Sequence, residues 1–382
     1  MQKEKTKLKI GLVLDSTLDV EDGVQQYILT LGSFLKSKGH EVHYIVGQTN
    51  RTDIANLHSL TKNLILRFNG NRVSISLPAP SKPIKQLIKK ENFDILHIQS
   101  PYSPFYAGKF VKYAQENTAI LGTFHILSFN IVAKIGTRLL GLVLSKNLKK
   151  FDSQISVSSA NKIFAKQTFK IDCKVIPNMV NIDKFKQPKN FIRNNKVPEI
   201  LFLGRLTERK GCMYLIEACA ELLMQYPEIK FKLNIAGKGE NEANLKKRVT
   251  ELNLLNYVEF FGFVTNEKKI ELMRRADVAV FPSYSGESFG IVLIEAMAGG
   301  SGVVIGGNNP GYQTVLSDTP ECLVDVKQVN SFANLLHKSL TNQDFIKKTH
   351  EIQQSIVYKY DYKTVGQQIL DEYYACLKHK DK

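Results

Sequence analysis

The sequence predicts an α/β fold with two domains in tandem, each built on a doubly wound parallel sheet. Short apolar runs alternate along the chain with stretches in which apolar residues recur at helical spacing. This alternation is interrupted by a polar, basic stretch at residues 181–198 and begins again at Glu199. The chain of 382 residues is also longer than a single hydrophobic core usually supports.

The first half opens with a βαβ unit. The apolar run at residues 8–14 predicts a strand, the helical spacing that follows predicts a helix that ends at Gly39, and residues 42–46 predict the next strand. Strand, helix and strand in this order are typical of a parallel sheet. Further strands of this half are predicted at residues 93–98, 119–124, 153–158 and 173–177.

The second half repeats the pattern after residues 181–198, which we interpret as a linker. Strands are predicted at residues 199–204, 231–236, 258–263, 278–282 and 303–306, with periodic helices between them. We therefore expect a first domain at residues 1–180 and a second at residues 199–357. Ligands of doubly wound sheets bind beyond the carboxyl ends of the strands, so two facing domains would form a cleft between them.

Composition limits the class of protein. No run approaches the roughly 20 apolar residues of a membrane span, and residues 1–9 lack the apolar core of a signal peptide. We therefore expect a cytoplasmic protein that does not span a membrane. The five cysteines are scattered and form no C-x-x-C pair, which supports neither a disulfide framework nor a zinc site.

The net charge of +16 is distributed unevenly. Residues 1–150 carry 21 Lys and Arg against 10 Asp and Glu, whereas the other 232 residues carry 31 against 26. A basic first half indicates an anionic partner, either nucleic acid or an acidic lipid surface, although a solvated lysine-rich surface gives the same count. The absence of Trp and of any arginine-rich or RNP-like stretch argues against nucleic acid.

One basic segment has helical periodicity. Its lysines alternate with Ile84, Leu87 and Ile88 at spacings near one helical turn. This pattern predicts a short amphipathic helix that lies on an anionic membrane, or else an ordinary surface helix. The lysines concerned are Lys82, Lys85, Lys89 and Lys90.

Two glutamates eight positions apart mark the most informative stretch of the second half. Glu287 lies in a Gly/Ser-rich loop, and Glu295 lies in the apolar helix that follows. The helix begins at about residues 288–290 (Ser288, Phe289, Gly290), where free backbone N–H groups and the positive end of the helix dipole suit a phosphate. Carboxylates accept hydrogen bonds from hydroxyls, so two of them beside a phosphate cradle indicate a nucleotide-sugar site. A surface Glu and a helix Glu without a common ligand is the alternative.

Other candidates follow strands of the two predicted sheets. Arg205 and Lys210 leave the first strand of the second domain in one loop, where their charges can neutralise a diphosphate. His125 ends a strand of the first domain, where it can contact a substrate or serve a structural role. Gly23 stands at a strand-to-helix turn, where a glycine allows the backbone to come close to a neighbouring group.

Together these residues resemble the family 4 retaining glycosyltransferases of GT-B architecture, in particular the bacterial phosphatidylinositol mannosyltransferases. The resemblance extends over nearly the whole chain, and its most specific element is the two-glutamate motif at residues 286–298. It implies two Rossmann-like domains that face each other across a cleft. It also implies a C-terminal helix at residues 358–382 that crosses back to the first domain.

The resemblance also implies roles for individual residues. Glu287 would contact the hydroxyls of the donor sugar and Glu295 the ribose, Arg205 and Lys210 would bind the diphosphate, and Lys269 would contact a guanine nucleotide. His125 matches the family's active-site histidine. Gly23 and Gln25 match its glycine loop, and Asn69, Gly70 and Asn71 match the segment that holds the inositol phosphate.

The acceptor-facing half departs from the family pattern at several positions. Asp22 replaces the first of two glycines, Asp15 and Ser16 replace a Pro-Tyr pair, and Gln99 and Ser100 replace a His-Glu pair. The donor half follows the pattern closely. The resemblance is therefore more specific for the donor than for the acceptor.

These observations predict a metal-independent enzyme without a cofactor that transfers a hexose with retention of configuration. We expect mannose from GDP-mannose as the donor group, a lipid headgroup such as phosphatidylinositol as the acceptor, and peripheral attachment to the cytoplasmic membrane surface. One alternative is a soluble family 4 enzyme with a UDP- or GDP-sugar donor and a non-lipid acceptor. A non-catalytic nucleotide-sugar sensor and, remotely, a nucleic-acid-binding protein are the others.

Overall fold

The computed structural model describes residues 7–20, 22–68, 71–99, 101, 103, 106–125, 146–186 and 195–380. Their helices and strands alternate along the chain, and the described part of the first half carries three more strands than its periodicity indicates. In chain order the elements of this half are β1 (Lys9–Leu14), α1 (Gly23–Ser37), β2 (Glu41–Val46), β3 (Leu57–Ser59), β4 (Asn63–Phe68), β5 (Asn71–Ser76), α2 (Ser81–Glu91), β6 (Ile95–Ile98), α3 (Ala107–Tyr113), β7 (Ala119–Phe124), β8 (Ser153–Ser156), α4 (Ser159–Phe169) and β9 (Lys174–Val175).

The second half continues the alternation and ends in a helical segment. A 3₁₀ turn at Glu208–Lys210 precedes its first long helix. The elements are α5 (Ile182–Phe185), β10 (Glu199–Leu203), α6 (Cys212–Gln225), β11 (Lys232–Ala236), α7 (Glu242–Glu251), β12 (Val258–Gly262), α8 (Asn266–Arg275), β13 (Val278–Phe281), α9 (Ile291–Ala298), β14 (Val303–Gly307), α10 (Pro310–Val315), β15 (Leu323–Val324), α11 (Val329–Thr341), α12 (Gln343–Ile356) and α13 (Tyr362–Lys380).

Each half contains one parallel sheet. The strand orders are β3-β2-β1-β6-β7-β8-β9 and β12-β11-β10-β13-β14-β15. In both sheets the order reverses next to the first strand, between β1 and β6 and between β10 and β13. Doubly wound sheets bind ligands beyond the carboxyl ends of the strands at such a switch point. The predicted α/β class and parallel sheets are confirmed.

The strands form because they are apolar on both faces. Ile10 to Leu14 of β1, Val42 to Val46 of β2 and all of β7 and β13 are buried, as expected for a sheet covered by helices on both sides. The antiparallel hairpin of β4 and β5 pairs with neither sheet. Ile65 of this hairpin remains 69% exposed.

The chain divides into two compact units. The first contains residues 1–179 and 362–382, and the second contains residues 180–361. The stretch that we expected to be a linker therefore begins inside the second unit, because α5 and a bridge between Val180 and Asp361 belong to it. Residues 187–194 of that stretch lie outside the described part of the chain.

Helix α13 belongs to the core of the first unit, as the expected return of the C-terminal helix requires. A Cβ atom at Gly366 would lie 2.5 Å from Phe34 Cδ1, so the absence of a side chain lets α13 pack closely against α1. The Tyr373 hydroxyl lies 2.7 Å from His97 Nδ1, and His97 Nε2 lies 2.6 Å from Thr123 Oγ1. Burial lowers the pKa of His97 to about 3, so this histidine is neutral at physiological pH.

The Tyr373 hydrogen bond yields a stability prediction. Tyr373→Phe leaves the buried Nδ1 of His97 without its partner, which should lower the free energy of unfolding by about 1–3 kcal/mol. Urea denaturation of the full chain measures this change. Tyr358→Phe is the matched control, because the Tyr358 side chain is 60% exposed. Equal midpoints for the two variants would show that the Tyr373 hydroxyl does not secure α13.

Candidate active site

The loop between β13 and α9 carries the first glutamate of the motif. Two glycines give it its shape: Gly286 has φ +88° and Gly290 has φ +122°, values that residues with a side chain rarely adopt. Gly290 caps α9, whose first turn presents backbone N–H groups and the positive end of the helix dipole to the loop. This confirms a helix N-terminus at the motif, beginning at Ile291.

Three donors converge on one oxygen of Glu287. Arg209 Nη1 and Lys210 Nζ each lie 2.8 Å from Oε1, and the Ser283 hydroxyl donates to the same atom at 2.9 Å. The Glu287 side chain is 15% exposed. Burial would raise the pKa of Glu287, but the charges of Lys210 and Arg209 outweigh it and lower this pKa to about 2. Glu287 is therefore a carboxylate at every physiological pH.

The cations of this cluster come from the 3₁₀ turn after β10. Burial, together with the positive charges of Arg209 and Arg205, lowers the pKa of Lys210, whereas Glu287 acts in the opposite direction. Gly211 ends the turn with φ +73°, and a Cβ atom there would lie 2.0 Å from the Pro282 carbonyl oxygen. The close approach of backbone to backbone holds the cationic turn against the loop of Glu287.

The N-terminus of helix α10 contacts the loop that carries Glu287. The Asn309 side-chain amide donates to the Ser283 carbonyl at 2.7 Å, and its oxygen accepts from the Tyr312 N–H at 3.0 Å. A Cβ atom at Gly311 would lie 2.3 Å from the Glu287 carbonyl oxygen. Sequence reasoning missed Arg209, Ser283 and Asn309, although the Asn-Pro start of α10 is a recognisable helix cap.

Glu295, the second acid of the motif, has a cation of its own. Lys269 Nζ of α8 lies 2.8 Å from Glu295 Oε1, and the two side chains are 13% and 9% exposed. Phe289, between the two acids, is buried with its ring 5.5 Å from that of Tyr360, so it contributes its backbone and not its side chain to the loop surface. The structure therefore brings Lys269 to Glu295, and Arg209 and Lys210 to Glu287.

His125 in the first unit is buried and hydrogen bonded. Its Nε2 lies 2.9 Å from Gln99 Oε1, and its ring packs edge-on against Tyr27 at 5.0 Å. Burial lowers the pKa of His125 to about 3, which makes the ring a neutral donor and acceptor. Gly23 is the first residue of α1, and Gln25 is buried within the same helix.

Asp15 lies buried directly after the carboxyl end of β1. Its carboxylate accepts from the Ser76 N–H at 3.0 Å and from the Ser103 hydroxyl. Burial raises the pKa of Asp15 to about 6, although hydrogen bonds from Ser76 and from the Ala107 backbone act against the rise. Of the residues expected to hold an inositol phosphate, Asn71 opens β5, while Asn69 and Gly70 lie outside the described residues.

The four lysines of α2 are exposed, but the apolar face of the helix is not. Ile84, Leu87 and Ile88 are buried in the core of the first unit. The expectation of an amphipathic helix is confirmed, and its apolar face is covered by the core of the first unit. Only the charges of Lys82, Lys85, Lys89 and Lys90 remain for an outside partner.

A group of possible metal ligands occurs elsewhere in the first unit. Within the described residues, oxygen and nitrogen atoms of Glu41, His43 and Glu91 lie within 4.8 Å of one another. Lys9 Nζ lies 3.2 Å from a carboxylate oxygen of each glutamate, so an ammonium group already compensates one of their two negative charges. Among the described residues, no helix has both the length and the apolar character to cross a bilayer.

Comparison with known proteins identifies the family. Residues 22–184 match the family model described as Glycosyltransferase Family 4, and residues 183–356 match the one described as Glycosyl transferases group 1. The chain belongs to the family 4 glycosyltransferases. The junction of the two matches falls close to the boundary between the two compact units of this glycosyltransferase.

Relatives and solved structures agree with this assignment. The enzyme is 29% identical to the phosphatidyl-myo-inositol mannosyltransferase of Mycolicibacterium smegmatis, over 96% of this chain and 93% of that protein. It is 27% identical to the protein of the same name from Mycobacterium leprae, over 96% of each. A glycosyltransferase from Rickettsia africae has the same fold, with 22% identity, a TM-score of 0.77, and coverage of 97% of this chain and 99% of that one.

A second solved structure also has this fold. Anabaena HepE, solved in complex with UDP and glucose, is 18% identical to the enzyme with a TM-score of 0.73, over 96% of this chain and 99% of that one. These neighbours confirm the GT-B fold of the glycosyltransferase.

The Lys269–Glu295 pair yields a second stability prediction. Lys269→Met leaves a buried carboxylate without its cation and should lower the free energy of unfolding by about 3 kcal/mol near pH 7. Lys268→Met is the matched control: Lys268 is 37% exposed and pairs with Glu271 on the surface, so its loss should change stability by less than about 0.5 kcal/mol. Equal urea midpoints for the two variants would rule out a stabilising role for the buried pair.

Proposed function

We propose that this glycosyltransferase is a retaining, metal-independent enzyme that transfers mannose from GDP-mannose to the inositol headgroup of phosphatidylinositol at the cytoplasmic membrane surface. The observation that carries the proposal is the ionised Glu287, fixed beside two cations at the N-terminus of α9. Sugar hydroxyls need acceptors and a diphosphate needs positive charge, and this cluster offers both. The names of the mycobacterial relatives support the mannosyl group and the inositol lipid.

The donor would lie along the loop from Glu287 to Glu295. Its diphosphate meets Arg205, Lys210 and the first N–H groups of α9, where the charge on the leaving group is stabilised in the transition state. Oε1 of Glu287 is occupied by its three donors, so Oε2 accepts from the sugar hydroxyls. Glu295 lies further along α9, paired with Lys269 of α8, and these two residues would contact the ribose and the base.

The reaction exchanges one glycosidic bond for another. The bond between the anomeric carbon and the diphosphate oxygen breaks with both electrons leaving on the diphosphate, and the acceptor hydroxyl forms its new bond on the same face of the sugar. The hydroxyl proton passes to the leaving phosphate oxygen. If Nε2 of neutral His125 donates to Gln99, its Nδ1 is an acceptor that positions a substrate hydroxyl.

A UDP-sugar donor with a non-lipid acceptor is the second candidate. The fold neighbour HepE was solved with UDP and glucose, and at 18% identity this likeness extends to the fold alone. The departures at Asp15, Asp22 and Gln99 all lie in the acceptor-facing half. They favour a change of acceptor more than a change of donor.

The donor and acceptor are tested together. Thermal shift with GDP-mannose, UDP-glucose, GDP and UDP should give the largest stabilisation with the guanine nucleotides. Incubation with GDP-mannose and vesicles containing phosphatidylinositol should then yield an α-mannosyl lipid, identified by NMR of the product. Transfer from a UDP-sugar to a water-soluble acceptor would support the second candidate, and turnover of no nucleotide-sugar would overturn both.

Membrane attachment is tested with the lysines of α2. Each surface lysine near an anionic bilayer contributes about 1 kcal/mol, so replacing Lys82, Lys85, Lys89 and Lys90 by Gln should weaken vesicle binding at least about tenfold. The control replaces four exposed lysines of the second unit by Gln: Lys230, Lys232, Lys246 and Lys247. Co-sedimentation with phosphatidylserine vesicles at low and high salt measures binding. Equal losses in both variants would mean that net charge, and not this helix, governs attachment.

A further inference from the structure

Arg209 is bound to the glutamate loop by both its side chain and its backbone. Its Nη1 donates to Glu287 Oε1 at 2.8 Å and to the Ser285 carbonyl at 3.3 Å. Its own carbonyl oxygen accepts from the Tyr284 N–H at 3.2 Å. These contacts connect the 3₁₀ turn to three residues of the loop in front of α9.

Gly286 provides the room for this contact. A Cβ atom at Gly286 would lie 2.7 Å from Arg209 Nη1 and 3.2 Å from its Cζ, so the guanidinium lies directly across the glycine backbone. The positive φ of Gly286 turns the chain at this point and directs the following Glu287 back toward the cations. The Arg209 side chain is 15% exposed, so water competes little with these bonds.

The cluster distinguishes the two oxygens of the carboxylate. All three side-chain donors reach Oε1, and in the described part of the chain no hydrogen bond reaches Oε2. A carboxylate held at one oxygen by a guanidinium, an ammonium and a hydroxyl has a fixed rotamer. Oε2 is then the oxygen that remains to accept a hydrogen bond from a ligand.

We propose that Arg209 is a positioning residue: it holds Glu287 so that Oε2, and not Oε1, addresses the hydroxyls of the donor sugar. The proposal rests on the proposed function, in which Glu287 accepts from that sugar. Arg205 and Lys210 bind the diphosphate, whereas Arg209 is committed to the loop. Because Arg209 acts through Glu287, replacing Arg209 should lower kcat and leave the affinity for the nucleoside diphosphate unchanged.

A double-mutant cycle tests this role. The proteins are wild type, Arg209→Met, Glu287→Gln and the double variant, each assayed for kcat and KM with the nucleotide-sugar that the wild type turns over. Glu287→Gln should lower kcat about 100-fold or more, and Arg209→Met about 10- to 100-fold with KM within threefold. In the Glu287→Gln background, Arg209→Met should change kcat by less than about threefold, because its target is already gone.

The pH profile gives an independent readout. The groups that face Glu287 are Arg209 and Lys210 of the 3₁₀ turn, Ser283 of its own loop and the buried Tyr312 of α10. Removal of one cation raises the pKa of Glu287, and the reaction needs the ionised form. Arg209→Met should therefore lose activity on the acid side at a higher pH than the wild type, and Arg209→Lys should restore part of the difference.

The controls separate the possible outcomes. Arg248→Met removes a surface arginine of α7 that pairs with Glu217 and Glu251, and it should leave kcat unchanged. Fully additive effects in the cycle, or a tenfold weaker Kd for GDP alone in Arg209→Met, would overturn the proposal in favour of a direct phosphate contact. If Arg209→Met does not fold, Arg209→Lys carries the same comparison. An inactive wild type would instead refute the proposed function.

Discussion

The candidate site depends on one interaction, the convergence of Arg209, Lys210 and Ser283 on Oε1 of Glu287. A buried carboxylate is costly unless it is paired and hydrogen bonded, and here two charges and a hydroxyl compensate the burial. The local backbone is arranged to permit this. Gly211 and Gly286 bring the cationic turn and the acid loop to van der Waals contact, where any side chain would keep them apart.

The same convergence explains how a cluster with three strong charges can still receive an anionic ligand. Arg209 balances the charge of Glu287, so the positive charge of Lys210 remains beside the N-terminus of α9. A diphosphate therefore meets attraction from both the side chains and the helix end. Glu295 is neutralised separately by Lys269, so it adds no repulsion to that surface.

The fold could be predicted from the sequence because buried parallel strands appear in it as continuous apolar runs. β7 was predicted residue for residue, and β10 and β13 within one residue. The hairpin of β4 and β5 was missed because the described apolar residues of β4 are exposed, Leu64 by 48% and Ile65 by 69%, and give no buried alternation. Glu287 and Lys210 were proposed from their residue types and positions, and Lys269 only through the family resemblance. Arg209 was missed because the sequence does not show which arginine, Arg205 or Arg209, contacts the loop of Glu287.

The two units differ in the charge of their buried ionisable groups. This difference fits the ligands that each unit would bind. The second unit keeps Glu287 ionised by supplying cations, which suits a charged diphosphate. In the first unit burial keeps His97 and His125 neutral. Neutral groups can donate to and accept from hydroxyls without attracting counterions. An acceptor recognised there through its hydroxyls would need hydrogen-bond geometry more than charge.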